Sequence, residues 1–153
     1  MAMEVVLLGQ TYDLPDIMKR AYYELLRSSG QSITDQSQQL SAKDQHRIAT
    51  VRAKLAHFWV DCAVSHPSDF VCSSEVKCKA ETDGQTIHYK LVLASGLFKK
   101  FIHDPIGGLR VLMRVGWEDE GFCTICVNRK VAMCHSARNE LWCQLDGWLG
   151  NTE

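Results

Sequence analysis

Two cysteine pairs constrain this chain more than any other feature. Cys72 and Cys78 form C-x5-C in "VCSSEVKC", and Cys123 and Cys126 form C-x2-C in "GWEDEGFCTICVNRK". Between the pairs lie 44 residues. Four thiolates can enclose one tetrahedral zinc ion at about 2.3 Å each, a closed structural site. A shared ion would pin the segment around residue 75 to the segment around residue 125, whatever the chain does between them. C-x2-C suits this when it opens a helix, because both sulfurs then lie on one face and the positive helix end favours thiolate. C-x5-C is a less typical spacing for a zinc knuckle. His66, His88 and His135 are spare ligands for a site that leaves one cysteine out.

Other readings of the thiols stay open at this point. Buried cysteines serve as small apolar side chains, and Cys62, Cys134 and Cys143 fit that description on apolar helix faces. A disulfide between two of the four is a further option. The cysteine count of seven is odd, and the start "MAMEVVLLGQ" has neither a basic n-region nor a small-residue cleavage site. Both observations favour a reducing, intracellular setting, cytoplasmic or nuclear, over disulfide-rich secretion. No βαβ pattern leads into the C-x2-C, which disfavours a thioredoxin-like couple.

Helical periodicity dominates elsewhere. In "YDLPDIMKRAYYELLRS", Pro15 suits a first turn and Asp16 the positive end of the dipole, while Ile17, Ala21, Tyr22 and Leu25 recur at helical steps; this predicts a helix ending near Gly30. "SSGQSITDQSQQLSA" reads as a polar connector. Ser41 and Asp44 in "SAKD" make a capping box. Ile48, Val51, Leu55, Phe58, Trp59 and Cys62 then trace a long amphipathic helix ending before "SHPSD". "QTIHYKLVLASGLFKKF" is read as a helix reaching Gly96. A short hairpin near 76–93 is the competing reading, since an Asp-Gly pair precedes the alternating Ile87, Tyr89, Leu91 and Leu93. Asp104 and Pro105 cap another short helix, whose "IGG" would let two helices approach closely. Val127, Val131, Cys134, Leu141, Leu145 and Trp148 predict one face of a long terminal helix closing at Gly150. The fold class is therefore mainly α, a compact bundle of about five to six helices. Residues 1–30 form a helical segment, 31–40 a linker, and 41–150 a helical domain packed with the first segment.

Chemistry outside the cysteines is thin. A balance of 17 basic against 18 acidic residues gives a formal charge of −1 and no global pull toward nucleic acid or an anionic membrane. Apolar runs such as "LVLASGLF" are far shorter than the roughly 20 residues of a membrane span. "DPIGGL" lacks the Gly-Lys-Ser/Thr of a phosphate loop, and "WEDE" reads as a solvated turn before a helix rather than a catalytic acid pair. "LFKKF" and "KRAYYELLR" mix bases with aromatics at core-like spacing, as amphipathic packing requires. Trp117, Trp142 and Trp148 read as core or interface anchors. No catalytic signature is present.

Two stretches carry a family resemblance. "LLGQTYDLPDIMKRAYYELL" resembles the closing helices of BTB/POZ domains. "GWEDEGFCTICVNRK…ARNELWCQLDGWLG", with "CSSEVKCK", resembles the C-terminal extension of BTB/POZ proteins from mushroom-forming fungi. There a Cys-x2-Cys starts a helix running to a Leu-Trp-x2-Leu-x2-Trp signature, here Leu141, Trp142, Leu145 and Trp148. The resemblance spans residues 5 to 150. It marks Cys72, Cys78, Cys123 and Cys126 as the family-like set and implies a protein-interaction or adaptor-like module without catalytic residues. The strand-and-helix core of the BTB domain, which mediates dimerisation and cullin binding in adaptor members, has no counterpart in these residues. Together these readings give a non-enzymatic helical interaction module stapled by structural zinc, with Ile17, Tyr22, Leu25, Trp142 and Trp148 as interaction residues and protein partners that include a second copy through Ile17, Tyr22 and Leu25. The alternative is a small cysteine-dependent redox protein or enzyme using Cys123 or Cys126.

Overall fold

A computed structural model describes residues 15–28, 41–64, 66–67, 70–74 and 78–149. Among these the chain is helical and forms no strand. The elements are α1 (Pro15–Arg27), α2 (Ala42–Ala63), α3 (Lys79–Thr82), α4 (Gly84–His88), a π-helical segment (Tyr89–Ala94), α5 (Leu97–Lys100), α6 (Pro105–Leu112) and α7 (Thr124–Leu149). No described helix is long and apolar enough to cross a membrane. The 31–40 connector, Gly30, Gly150 and the stretch before Pro15 lie outside the described residues.

The two long helices organise the rest. Ile48, Val51 and Leu55 near the start of α2 share a core with Leu141, Leu145 and Leu149 near the end of α7. Trp59 and Ala63, at the end of α2, share a second core with Cys126 at the start of α7. The helices therefore run antiparallel. α1 closes the first core with Ala21, Tyr22, Tyr23, Leu25 and Leu26. Among the described residues, the segments between α2 and α7 supply most of the second core, which includes Phe70, Ile87, Val92, Leu109, Trp117 and Phe122, while Ile106 of α6 packs against the first.

Local signals account for the element ends. The Ser41 hydroxyl accepts the Asp44 amide at 3.1 Å and donates to the Asp44 carboxylate at 2.6 Å, so the capping box closes side chain to side chain. Asp104 accepts the Gly107 amide at 3.0 Å and starts α6 beside Pro105. Gly96 has φ 80°, a left-handed conformation that favours glycine, and separates the π segment from α5. Gly108 is where α6 meets α2: a Cβ there would lie 2.4 Å from Trp59 Cη2.

Three expectations need correction. The hairpin option near 76–93 gives way to helix, because burial falls on Gly84, Ile87, His88 and Val92, at three- and four-residue steps, while Tyr89 faces solvent. The buried face of α7 is Cys126, Lys130, Leu141, Leu145 and Leu149; Val127, Val131 and Trp148 flank it. Cys143 is exposed rather than a buried filler.

Candidate metal centre

Two segments deliver the four thiols, and each is held by bonds of its own. On the first, the Val71 carbonyl accepts Arg129 Nη1 of α7 at 3.0 Å, and the Arg129 guanidinium stands 5.0 Å from the Phe70 ring centre. These contacts lay Cys72 beside the start of α7. Cys78 is the N-cap of α3, with extended φ −125° and ψ 133°. On the second segment, Gly121 turns the chain with φ 102°, a conformation suited to glycine. Its carbonyl accepts the Lys79 amide at 3.0 Å, joining the two segments next to the thiols. Cys123 precedes the first residue of α7, and Cys126 lies within its first turn, buried.

All four Sγ atoms of Cys72, Cys78, Cys123 and Cys126 lie within 4.8 Å of one another. Cys72 to Cys123 and Cys78 to Cys126 are each 3.7 Å, and all four cysteines are free. A tetrahedron with metal–sulfur bonds of about 2.3 Å has edges of about 3.8 Å. The observed spacing fits an ion at the centre.

Backbone amides point at the sulfurs. Cys78 Sγ accepts from Cys123 N at 3.3 Å and from Ala80 N at 3.5 Å, and Cys72 Sγ accepts from Ser74 N at 3.4 Å. The Cys126 amide donates to the Cys123 sulfur, which lowers that thiol to about 6; donation from the Cys126, Cys72 and Cys78 thiols adds to the effect. Burial pushes Cys126 upward, and the neighbouring sulfurs push it the same way. Without a metal, the lowered Cys123 thiol at the positive end of α7 is the first of the four to ionise, while Cys78 donates to Cys126 at 3.7 Å. A divalent ion would replace those shared protons and allow all four sulfurs to ionise.

The spare histidines do not join the thiols. His135 is exposed. His66 and His88 belong to a separate buried cluster with Phe70, Trp117, Phe122 and Lys130. His88 Nε2 donates to the Ala63 carbonyl at 2.8 Å, which leaves Nδ1 as the acceptor facing Lys130 Nζ at 3.5 Å. His66 packs over Gly84, where a Cβ would lie 2.6 Å from Nε2. Neither of its ring nitrogens has a well-placed hydrogen-bond partner. Burial, then the charge of Lys130, lowers His66 to about 4.

The interaction residues distribute unevenly. Tyr22 and Leu25 are buried in the chain's own first core, Trp142 and Trp148 pack against that core half-buried, and Ile17 alone of the five is 46% exposed. Lys130 was not legible as a site residue, although its position four after Cys126 puts it on the same helix face; a lysine in register with buried cysteines was the available signal. Comparison with known protein families, curated proteins and solved structures finds no match.

Proposed function

We propose that Cys72, Cys78, Cys123 and Cys126 hold one structural zinc ion, and that the chain is a non-enzymatic helical module that docks other proteins. The gathering of four thiols from two separated segments supports this most directly. Zinc is favoured because four soft thiolates in a tetrahedron suit a d10 ion with no geometric demand of its own. Its role is structural: coordination offsets the entropy of ordering the segment before α3 against the start of α7. All four ligand positions are filled by protein, leaving none for a substrate. The resemblance to the extension of fungal BTB/POZ proteins supplies the interaction role.

Chelation tests the zinc part. A strong chelator at neutral pH should remove about one zinc per chain and lower the melting temperature. An unchanged melt after complete chelation would refute structural zinc. Light scattering tests self-association, and a strictly monomeric chain would remove the second copy from the partner class. A cysteine-dependent activity remains the rival, since Cys123 sits at the positive end of α7. Rapid alkylation of Cys123 alone in the metal-loaded protein would favour that rival, whereas slow alkylation of all four favours zinc.

A further inference from the structure

Away from the thiols, α2, α6 and α7 line a half-open cavity of about 350 Å3, near the lower end of the roughly 300–1,000 Å3 typical of small-molecule sites. Its walls are mostly apolar, with Leu109, Leu112, Trp117, Met133 and Ala137 among them. One buried cation reaches it. Lys130 is 7% exposed, with Nζ 4.4 Å from the Trp117 ring centre and 5.8 Å from that of Phe70. Its hydrogen-bond contact to His88 Nδ1, at 3.5 Å, is at the long limit. Among the described residues no carboxylate lies within ion-pair distance of Nζ.

An ammonium so placed is costly unless something pairs with it. Ring faces compensate part of the loss, and His88 Nδ1 can accept one of three protons. Two N–H groups remain for an acceptor arriving from the cavity. Burial lowers the amine to about 8, so it still carries its proton at pH 7. Asp61 also lines the cavity and is exposed; it would repel a second negative charge on a ligand.

We propose that this cavity binds a small monocarboxylate with an apolar body. The carboxylate pairs with Lys130 Nζ beside Trp117, and the hydrocarbon lies against Leu109, Leu112 and Met133. The site is independent of the zinc reading, although Lys130 stands one turn along α7 from Cys126. If Lys130 serves only to balance charge at the thiolates, its loss should release metal and leave no ligand preference to lose.

Calorimetric titration of the metal-loaded chain with octanoate, 1-octanol and octylamine tests the proposal, with zinc content measured on the same samples. Octanoate should bind once per chain and about tenfold tighter than 1-octanol, the margin of a charge-assisted pair, with octylamine weakest. Lys130→Met should bring octanoate down to the 1-octanol level while 1-octanol binding and zinc content persist. Ala137→Phe should fill the cavity and weaken both. Should Lys130→Met fail to fold, the wild-type octanoate-to-octanol ratio and Ala137→Phe carry the test by themselves. No octanoate binding, equal binding of octanoate and octylamine, or octanoate binding untouched by either substitution would overturn it.

Discussion

Gly108 shows how narrowly single residues decide this fold. Trp59 fills the space where its side chain would be, and Trp59 is itself fixed by its indole N–H donating to the Phe98 carbonyl at 2.8 Å. Gly108→Ala should destabilise the protein by about 1–3 kcal/mol through overpacking, read from urea midpoints at unchanged m-value. A neutral result would mean that α6 can withdraw from α2. His66 offers a second residue-scale test. An unfolded histidine takes up its proton near pH 6.5, whereas folded His66, facing Lys130 and His88, waits until about 4. The unfolded state therefore binds more protons between these values, so stability should fall as pH drops through that window. Lys130 works in the same sense at higher pH: its folded value is about 8 against 10.5 unfolded. Its burial cost should fade as pH climbs from 8 toward 10.5, against the opposite contribution of Cys62 and Cys134, whose thiols burial raises. His66→Phe should reduce the acidic slope, leaving the share of His88 and His103, whose values burial also lowers, as denaturation at a series of pH values would reveal.

At the scale of elements, α7 carries both kinds of cysteine. Cys123 and Cys126 open it among the thiols, while Cys143 near its end is exposed. Cys143→Ser should change stability by less than about 0.5 kcal/mol, whereas Cys126→Ser should lose metal and cost several kcal/mol, about the scale of removing a buried structural ligand. Equal, small effects of the two on the thermal melt would count against the metal centre. The same helix shows what the sequence could and could not yield. Leu141 and Leu145 were legible because apolar side chains at four-residue steps have few other uses. Lys130 was not, because a lysine normally marks a solvated face, and only packing against Trp117 reverses that. Caps were legible at Ser41 and Asp104, where one side chain meets one amide. Residues 87–93 were ambiguous, since a short apolar run satisfies both periods. In the π-helical turn over Tyr89–Ala94, Val92 is the residue that packs into the core.

For the whole molecule, the two cores predict unequal dependence on metal. The first, built from α1, the start of α2 and the end of α7, contains none of the four thiols; the second contains Cys126, with Cys72, Cys78 and Cys123 packed against it. Hydrogen exchange after chelation should show amides of α3, α4 and the start of α7 losing protection first, while Val51 and Leu55 stay protected. Uniform loss would mean that the two cores unfold as one. The cysteine set was legible from spacing alone because few other arrangements of two distant pairs give thiols a shared purpose; their meeting depended on Gly121 and Arg129, whose roles emerge only in three dimensions. The most direct test is the metal content of protein purified without chelators or nickel, measured by elemental mass spectrometry. About one zinc per chain is the expected result. Protein that is fully folded with no bound metal would contradict a structural four-thiolate centre.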